Sequence, residues 1–163
     1  MNSSVNADAD SLPFEVAVHM SEPGWVEVVG EEPEVFVAFA VGAALEVLDD
    51  TPEGELSVAL VSDQEIAELN LTYRQKEGAT NVLAFPMDGP LQGDVVIALQ
   101  TMLREAHRRK ITAQAHTAHL LVHGFLHLQG YDHMKATEAE IMEALETRAL
   151  STVGISDPYM KAS

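Results

Sequence analysis

Three histidines have a spacing that can close around one metal ion. The segment 123–133 reads HGFLHLQGYDH and carries imidazoles at His123, His127 and His133. Residues four apart share one face of a helix, so His123 and His127 are neighbours. Gly130 can adopt the left-handed conformation that ends a helix, and the turn after it can bring His133 to the same ion. Three neutral imidazoles leave a coordination position for water, which is typical of catalytic zinc sites.

The segment that carries the first two histidines has the composition of a buried helix. Charged residues hardly interrupt residues 111–129, which contain no proline, and Gly124 is their only glycine. Such a pattern predicts a helix inside the core. His116 and His119 continue the histidine stripe. They could be further ligands, groups that hold the ligands in place, or hydrogen-bonded histidines of the core or surface, and we expect the last role.

The histidine offsets also match the HExxHxxGxxH pattern of metzincin peptidases, with one difference. Gly124 stands where those enzymes carry the glutamate that acts as general base. A peptidase mechanism without this carboxylate has no proton acceptor, so a metzincin-like zinc peptidase is the disfavoured enzyme alternative. We interpret Gly124 as leaving open space beside the metal for an anionic substrate.

The same segment resembles the HGxLHLxGYDH signature of the YbeY endoribonucleases, a bacterial family of zinc-dependent enzymes linked to ribosomal RNA maturation and ribosome quality control. Leu69–Arg74 is similar to the LNxxYR run of this family, and QGDVVIAL and AEIMEALE are similar to its LGDI strand and C-terminal helix. The resemblance spans about residues 13–155. Two residues depart from the pattern: Asn81 and Ala84 stand where the family usually has Asp and Ser.

This resemblance implies a single-strand-specific, zinc-dependent endoribonuclease. Its one zinc ion would be held by His123, His127 and His133, and Arg74 would be its functional arginine. The implied partners are single-stranded regions of ribosomal RNA and the ribosome or its proteins. A cytoplasmic location is expected from composition, because the chain has no Cys and its opening residues are polar and acidic without a basic stretch. The alternative from another class is a non-catalytic ribosome-assembly factor with a structural zinc, for which a fourth protein ligand is expected.

Charge is distributed unevenly along the chain, whose net charge is −17. Residues 1–73 hold 16 acidic residues and no Lys or Arg, whereas residues 74–163 hold 10 acidic and all 9 basic residues. The half with the histidine motif is therefore nearly neutral. Within it, REAHRRK at residues 104–110 gathers four cations. This run is either the solvated end of a helix or a phosphate-binding patch.

Length and composition indicate one domain without disulfides or membrane spans. The chain has 163 residues and no Cys, and its longest apolar run, residues 35–45, is too short to cross a membrane. We expect a disordered tail at residues 1–12, a domain at 13–155 and a tail at 156–163.

The predicted architecture is α+β, with one small mixed β-sheet covered by helices and the metal site on a buried helix and the turn after it. The predicted strands lie at residues 14–19, 55–62, 81–85 and 94–98, and the predicted helices lie at 33–48, 63–70, 99–110, 113–129 and 137–152.

Overall fold

The computed structural model describes residues 12–87, 91–132 and 134–159. Within these ranges the elements are β1 (Val16–Met20), α1 (Val26–Val29), α2 (Pro33–Leu45), β2 (Glu55–Val61), α3 (Asp63–Arg74), β3 (Val82–Pro86), β4 (Leu91–Ala98), α4 (Leu99–Arg109), α5 (Ala113–Leu128) and α6 (Ala136–Thr152). The predicted strands and helices are present, with ends shifted by a few residues. The sequence did not predict α1 or the short 3-10 helix Pro23–Trp25 before it.

The expected N-terminal tail, apart from residue 12, lies outside the described residues, and so do residues 160–163. No described helix has both the length and the apolar character needed to cross a membrane.

The four strands form one mixed sheet in the order β1-β2-β4-β3. Strands β1, β2 and β4 run parallel, and β3 pairs antiparallel with β4 at the edge of the sheet. The small mixed sheet and the α+β fold are therefore confirmed. Because β3 is an edge strand, its outer side is not paired with a further described strand and can border a cleft.

Alternation along the strands divides the core between the two faces of the sheet. Val58 and Val95 point into the large core shared with α2, α5 and α6. Val61 and Val96 point to the other face, where Ile66 of α3 packs on them. The sheet is thus covered by helices on both faces, and the larger layer contains the histidine helix.

Helix α5 is the central helix of the large layer and contacts β3, β4, α2, α4 and α6. The Thr112 hydroxyl caps its first turn by accepting a hydrogen bond from Ala115 N at 3.0 Å. At its other end Gly130 has φ +99°, and Tyr131 N donates to Leu126 O at 3.1 Å. The predicted glycine turn after the helix is therefore confirmed. Glycine suits this position because a positive φ is strained for residues with a Cβ.

Asp63 links the N-termini of two neighbouring helices. It is the first residue of α3, and its carboxylate accepts from the Thr101 backbone N and hydroxyl of α4 at 2.8 Å each, and from Arg104 Nη2 at 3.0 Å. Burial alone raises the pKa of Asp63, but the hydrogen bonds from Thr101 and Arg104 outweigh it and lower the pKa below its ordinary value. The ionised carboxylate therefore stabilises the folded state.

We expect Asp63→Asn to lower the free energy of unfolding at neutral pH by about 1 kcal/mol, the usual size of a lost helix cap. A lowered folded-state pKa gives stability that is present above the unfolded value, about 3.9, and lost as pH falls through the folded value. The difference between parent and variant should therefore shrink between pH 5 and the acid limit in urea titrations. Glu68→Gln, at an exposed acid of the same helix, is the control for net charge. If Asp63→Asn lost the same free energy of unfolding at all pH values, the role assigned to the Asp63 carboxylate would be contradicted.

Candidate active site

An open cleft of about 560 Å³ lies between edge strand β3 and the C-terminal part of α5. Its wall includes Arg74, His123, Gly124 and His127. Three of the four residues expected at the active site thus face one cleft. The fourth, His133, lies outside the described residues.

The two described histidines of the motif stand one helical turn apart and face each other. The ring centroids of His123 and His127 are 4.7 Å apart, with an angle of 82° between the ring planes. At this separation the two imidazoles can reach a common ligand, as expected for residues four apart on a helix.

A buried carboxylate holds the first of these imidazoles. Glu146 of α6 has no exposed surface, and its Oε2 lies 2.7 Å from His123 Nδ1. Its Oε1 lies 2.7 Å from His119 Nε2 and also accepts from the Tyr159 hydroxyl. Because an ionised carboxylate can only accept, His123 donates from Nδ1. The lone pair of a neutral His123 is then on Nε2, the nitrogen that would bind a metal.

The hydrogen-bond donors around Glu146 stabilise its ionised form. Burial alone raises the pKa of Glu146, but the hydrogen bonds from His119 and His123 outweigh it and hold the pKa at about 2. Burial and the adjacent carboxylate also raise the pKa of Tyr159, so its hydroxyl keeps the proton that it donates. The C-terminal segment thereby helps to hold the carboxylate behind His123.

Arg74 reaches the cleft because α3 ends there. Gln75 takes a left-handed conformation with φ 57°, which stops the helix directly after Arg74. The buried Asn70 donates from Nδ2 to Gly78 O at 3.0 Å and fixes the loop that leads to β3. The salt bridges among the described residues do not include the Arg74 guanidinium, so this cation can serve an anionic ligand in the cleft.

The donor set fits a divalent transition metal. Adjacent imidazoles suit zinc, and a carboxylate behind a ligating histidine is the usual way to fix its orientation and proton. No group of three metal-binding side chains is found within the described ranges, from which the expected third ligand, His133, is missing. Arg74 lines the same cleft and adds a guanidinium group, whose geometry matches phosphate oxygens.

Comparison with known proteins assigns the chain to a family. The family model described as Endoribonuclease YbeY matches residues 27–154. The chain belongs to the endoribonuclease YbeY family. A relative named Endoribonuclease YbeY from Rhizobium etli is 43% identical over 164 positions, covering 90% of this chain and 93% of the relative. Another from Sinorhizobium fredii is 46% identical and covers 77% of each chain.

A solved structure supports the fold. The solution structure of TM1509 from Thermotoga maritima matches 90% of this chain and 99% of its own length, with a TM-score of 0.55 at 22% sequence identity. The resemblance inferred from the HGFLHLQGYDH segment is thus confirmed at the level of the family and the fold.

Sequence reasoning did not identify Glu146 as the partner of His123. Its signal was present: Glu146 is four residues from Met142 and four from Leu150, both buried, so it lies on the apolar stripe of α6. An acidic residue on such a stripe needs a buried partner. Met142 itself lies in the core.

His116 is a hydrogen-bonded core histidine, as we expected, whereas His119 shares the carboxylate of Glu146 with His123 and so helps to hold this imidazole in place. His116 and His119 are both buried, and His116 Nε2 lies 2.7 Å from Glu105 Oε1. Burial lowers the pKa of His116 below its ordinary value, although the adjacent Glu105 acts in the opposite direction. The lowered pKa favours the neutral imidazole.

The structure also explains the departure from the YbeY pattern at Asn81. Its Nδ2 donates to Glu105 Oε1 at 3.0 Å. An aspartate at this position would place a second carboxylate against Glu105, whereas the amide supplies a donor. Nothing in the structure explains why alanine occupies position 84.

Gly124 has a different role from the one we expected. A Cβ at this position would meet Val95 Cγ1 at 2.7 Å and Val82 Cγ2 at 3.4 Å. The side-chain direction therefore points into the sheet, and the expectation that glycine leaves open space for substrate was wrong. Glycine is required because α5 packs closely on β3 and β4.

We expect Gly124→Ala to lower the free energy of unfolding by about 1–3 kcal/mol, the usual effect of overpacking a core. The neighbour is the β-branched and buried Val95, which has little freedom to move. Gly42→Ala is the matched control, because a Cβ at this position in α2 meets nothing within 4 Å. That change should stabilise the protein by about 0.5–1 kcal/mol.

Chemical denaturation of both variants tests this account of Gly124. Equal stability of Gly124→Ala and Gly42→Ala would refute it. Gly124→Glu, which restores the peptidase carboxylate, should be too unstable to fold rather than gain peptidase activity.

Proposed function

We propose that this chain is a zinc-dependent endoribonuclease that cuts single-stranded RNA in the cleft between β3 and α5. His123, His127 and His133 are the proposed ligands of one zinc ion. The observation that carries the proposal is the cleft itself, in which Arg74 and the paired imidazoles of His123 and His127 face the same space. The relatives named Endoribonuclease YbeY support RNA as the substrate.

Each side chain has a distinct role in the proposed reaction. The planar guanidinium of Arg74 binds the scissile phosphate through paired hydrogen bonds and stabilises charge that develops on its oxygens. Glu146 keeps the proton of His123 on Nδ1 and fixes the direction of the ring. A zinc ion held by His123, His127 and His133 would supply Lewis-acid chemistry, either by lowering the pKa of water or by polarising a phosphoryl oxygen.

The proposed setting is the maturation of ribosomal RNA and ribosome quality control in the cytoplasm, with the ribosome or its proteins as partners. The catalytic domain is placed at residues 13–155, between the proposed tails at 1–12 and 156–163. A zinc peptidase is disfavoured because Gly124 supplies no general base. A non-catalytic assembly factor with a structural zinc is separated from the enzyme by the experiments below.

We expect the purified chain to bind about one zinc ion, and His123→Ala, His127→Ala or His133→Ala to abolish tight binding, because two imidazoles make a poor site. Glu146→Gln should keep the metal but weaken its affinity by about 10- to 100-fold, as for other groups that orient ligating histidines. Competition with a chromophoric chelator measures both effects.

His107→Ala is the control, since this histidine is exposed on α4. Stoichiometric zinc in all three ligand variants would end the site assignment. Zinc affinity unchanged by Glu146→Gln would remove the carboxylate from the metal site but leave the ligands in place.

We expect Arg74→Ala to keep its fold and zinc while losing about 10²- to 10³-fold in turnover, the loss typical of one removed transition-state donor. Arg74→Lys should recover only part of this loss, because an ammonium keeps the charge but lacks the guanidinium fork. Single-turnover cleavage of an RNA with a single-stranded end, with zinc-loaded and metal-stripped protein, gives the rates.

Lys76→Ala, at an exposed cation two residues away, is the control for charge and should cut at the parental rate. A folded, zinc-loaded Arg74→Ala variant with parental turnover would remove Arg74 from the mechanism. Zinc-loaded parent that leaves RNA uncut would instead favour the assembly factor, and cleavage of an unfolded protein would favour the peptidase.

A further inference from the structure

A second hollow continues the cleft along α5. It has a volume of about 300 Å³ and shares Asn81, Val82 and His123 with the wall of the cleft. The cleft follows α5 beyond His123 to His127, and the hollow follows it back to His116. The eleven residue steps from His116 to His127 correspond to about 16.5 Å at about 1.5 Å per residue. The two spaces therefore adjoin along α5, and we refer to them together as the groove.

Two arginines of the basic run at residues 104–110 border this second hollow. Arg108 and Arg109 are exposed in the last turn of α4 and line the hollow. Arg109 also donates from Nη2 to Pro158 O, which holds its side chain near the C-terminal segment. Arg104 does not line the hollow and pairs with Asp63 at 3.0 Å. The fold thus separates the run into one structural arginine and two arginines at the groove.

The charge of the hollow differs from that of the whole chain. Among the described residues that line it, Glu105 is the one carboxylate, and this group already accepts from Asn81 and lies against His116. The ionised Glu146 behind its wall is fully buried. Arg108 and Arg109 are both exposed and therefore bring two accessible cations to this wall, on a chain whose net charge is −17. A polyanion is repelled by most of such a surface and is held only where cations gather.

We propose that Arg108 and Arg109 form a second RNA subsite, which binds a backbone phosphate away from the phosphate held by Arg74. This inference rests on the proposed function, because it takes the cleft at His123 as the place where RNA is cut. The guanidinium groups match phosphate oxygens in geometry and charge. The substrate is then an extended RNA strand that lies along α5 and occupies both parts of the groove.

The test compares short and long RNA on zinc-loaded protein. Binding of a trinucleotide and of a dodecanucleotide, both 2′-O-methylated and shown by gel electrophoresis to stay intact, is measured by fluorescence anisotropy over a range of salt concentrations. The double variant Arg108→Gln/Arg109→Gln should weaken dodecanucleotide binding by about tenfold and leave trinucleotide binding unchanged. One single-strand phosphate contact contributes about 0.7 to the salt slope of log Kd, so the slope should fall by about 0.7.

Matched variants separate a local contact from a general effect of charge. Lys135→Gln/Arg148→Gln removes two exposed cations that line neither part of the groove, and it should keep more of the long-RNA affinity than the groove variant does. Arg108→Gln alone leaves the contact between Arg109 and Pro158 intact and should give about half of the slope change. Thermal melts verify that each variant is folded.

Cleavage of unmodified RNA distinguishes failure of the second subsite from failure of the proposed function. If the parent cuts RNA but the groove variant has the same salt slope as the control variant, the second subsite is refuted and the proposed function stands. An equal loss of affinity for the short and the long RNA would also refute it, because the arginines would then act on the cleft. A zinc-loaded parent that neither binds nor cuts either RNA would overturn both proposals.

Discussion

The carboxylate of Glu146 is fully buried among three segments of the chain, and a buried charge is tolerated only when hydrogen-bond donors surround it. His119 and His123 of α5 and Tyr159 of the C-terminal segment supply those donors. This requirement sets how α6 and the C-terminal segment lie against α5. It also selects the nitrogen of His123 that carries the proton, so the electrostatics of the core and the chemistry of the cleft have the same cause.

The cleft owes its shape to two features of the sheet. Strand β3 is antiparallel and last in the order, so its outer edge borders the cleft instead of another described strand. Helix α5 approaches β3 and β4 closely because Gly124 has no side chain. The histidines of α5 therefore stand beside the wall formed by Val82, Ala84 and Pro86. Close packing of a glycine thus determines where the imidazoles lie.

The enzyme has few cations with which to bind an anionic polymer, and their distribution along the chain suits this task. The first 73 residues carry no Lys or Arg, so every guanidinium available to RNA comes from the second half of the chain. Arg74 lines the cleft, and Arg108 and Arg109 line the adjoining hollow, while Arg104 stabilises the junction of α3 and α4. Repulsion from the remaining acidic surface would restrict RNA to this groove.

The sequence by itself determined the features that depend on local spacing. The offset of four places His123 and His127 on one face of α5, Gly130 ends that helix, and the apolar alternation of β2 and β4 defines the sheet, because helices, turns and strands are specified by neighbouring residues. Partners distant in the sequence were decided only by the tertiary structure. Glu146 lies 23 residues from the histidine it holds. Val95 approaches Gly124 only when α5 packs on the sheet. The same packing separates Arg104 from Arg108 and Arg109. Periodicity shows which face of an element is buried, but the group that meets that face depends on how the elements are arranged in space.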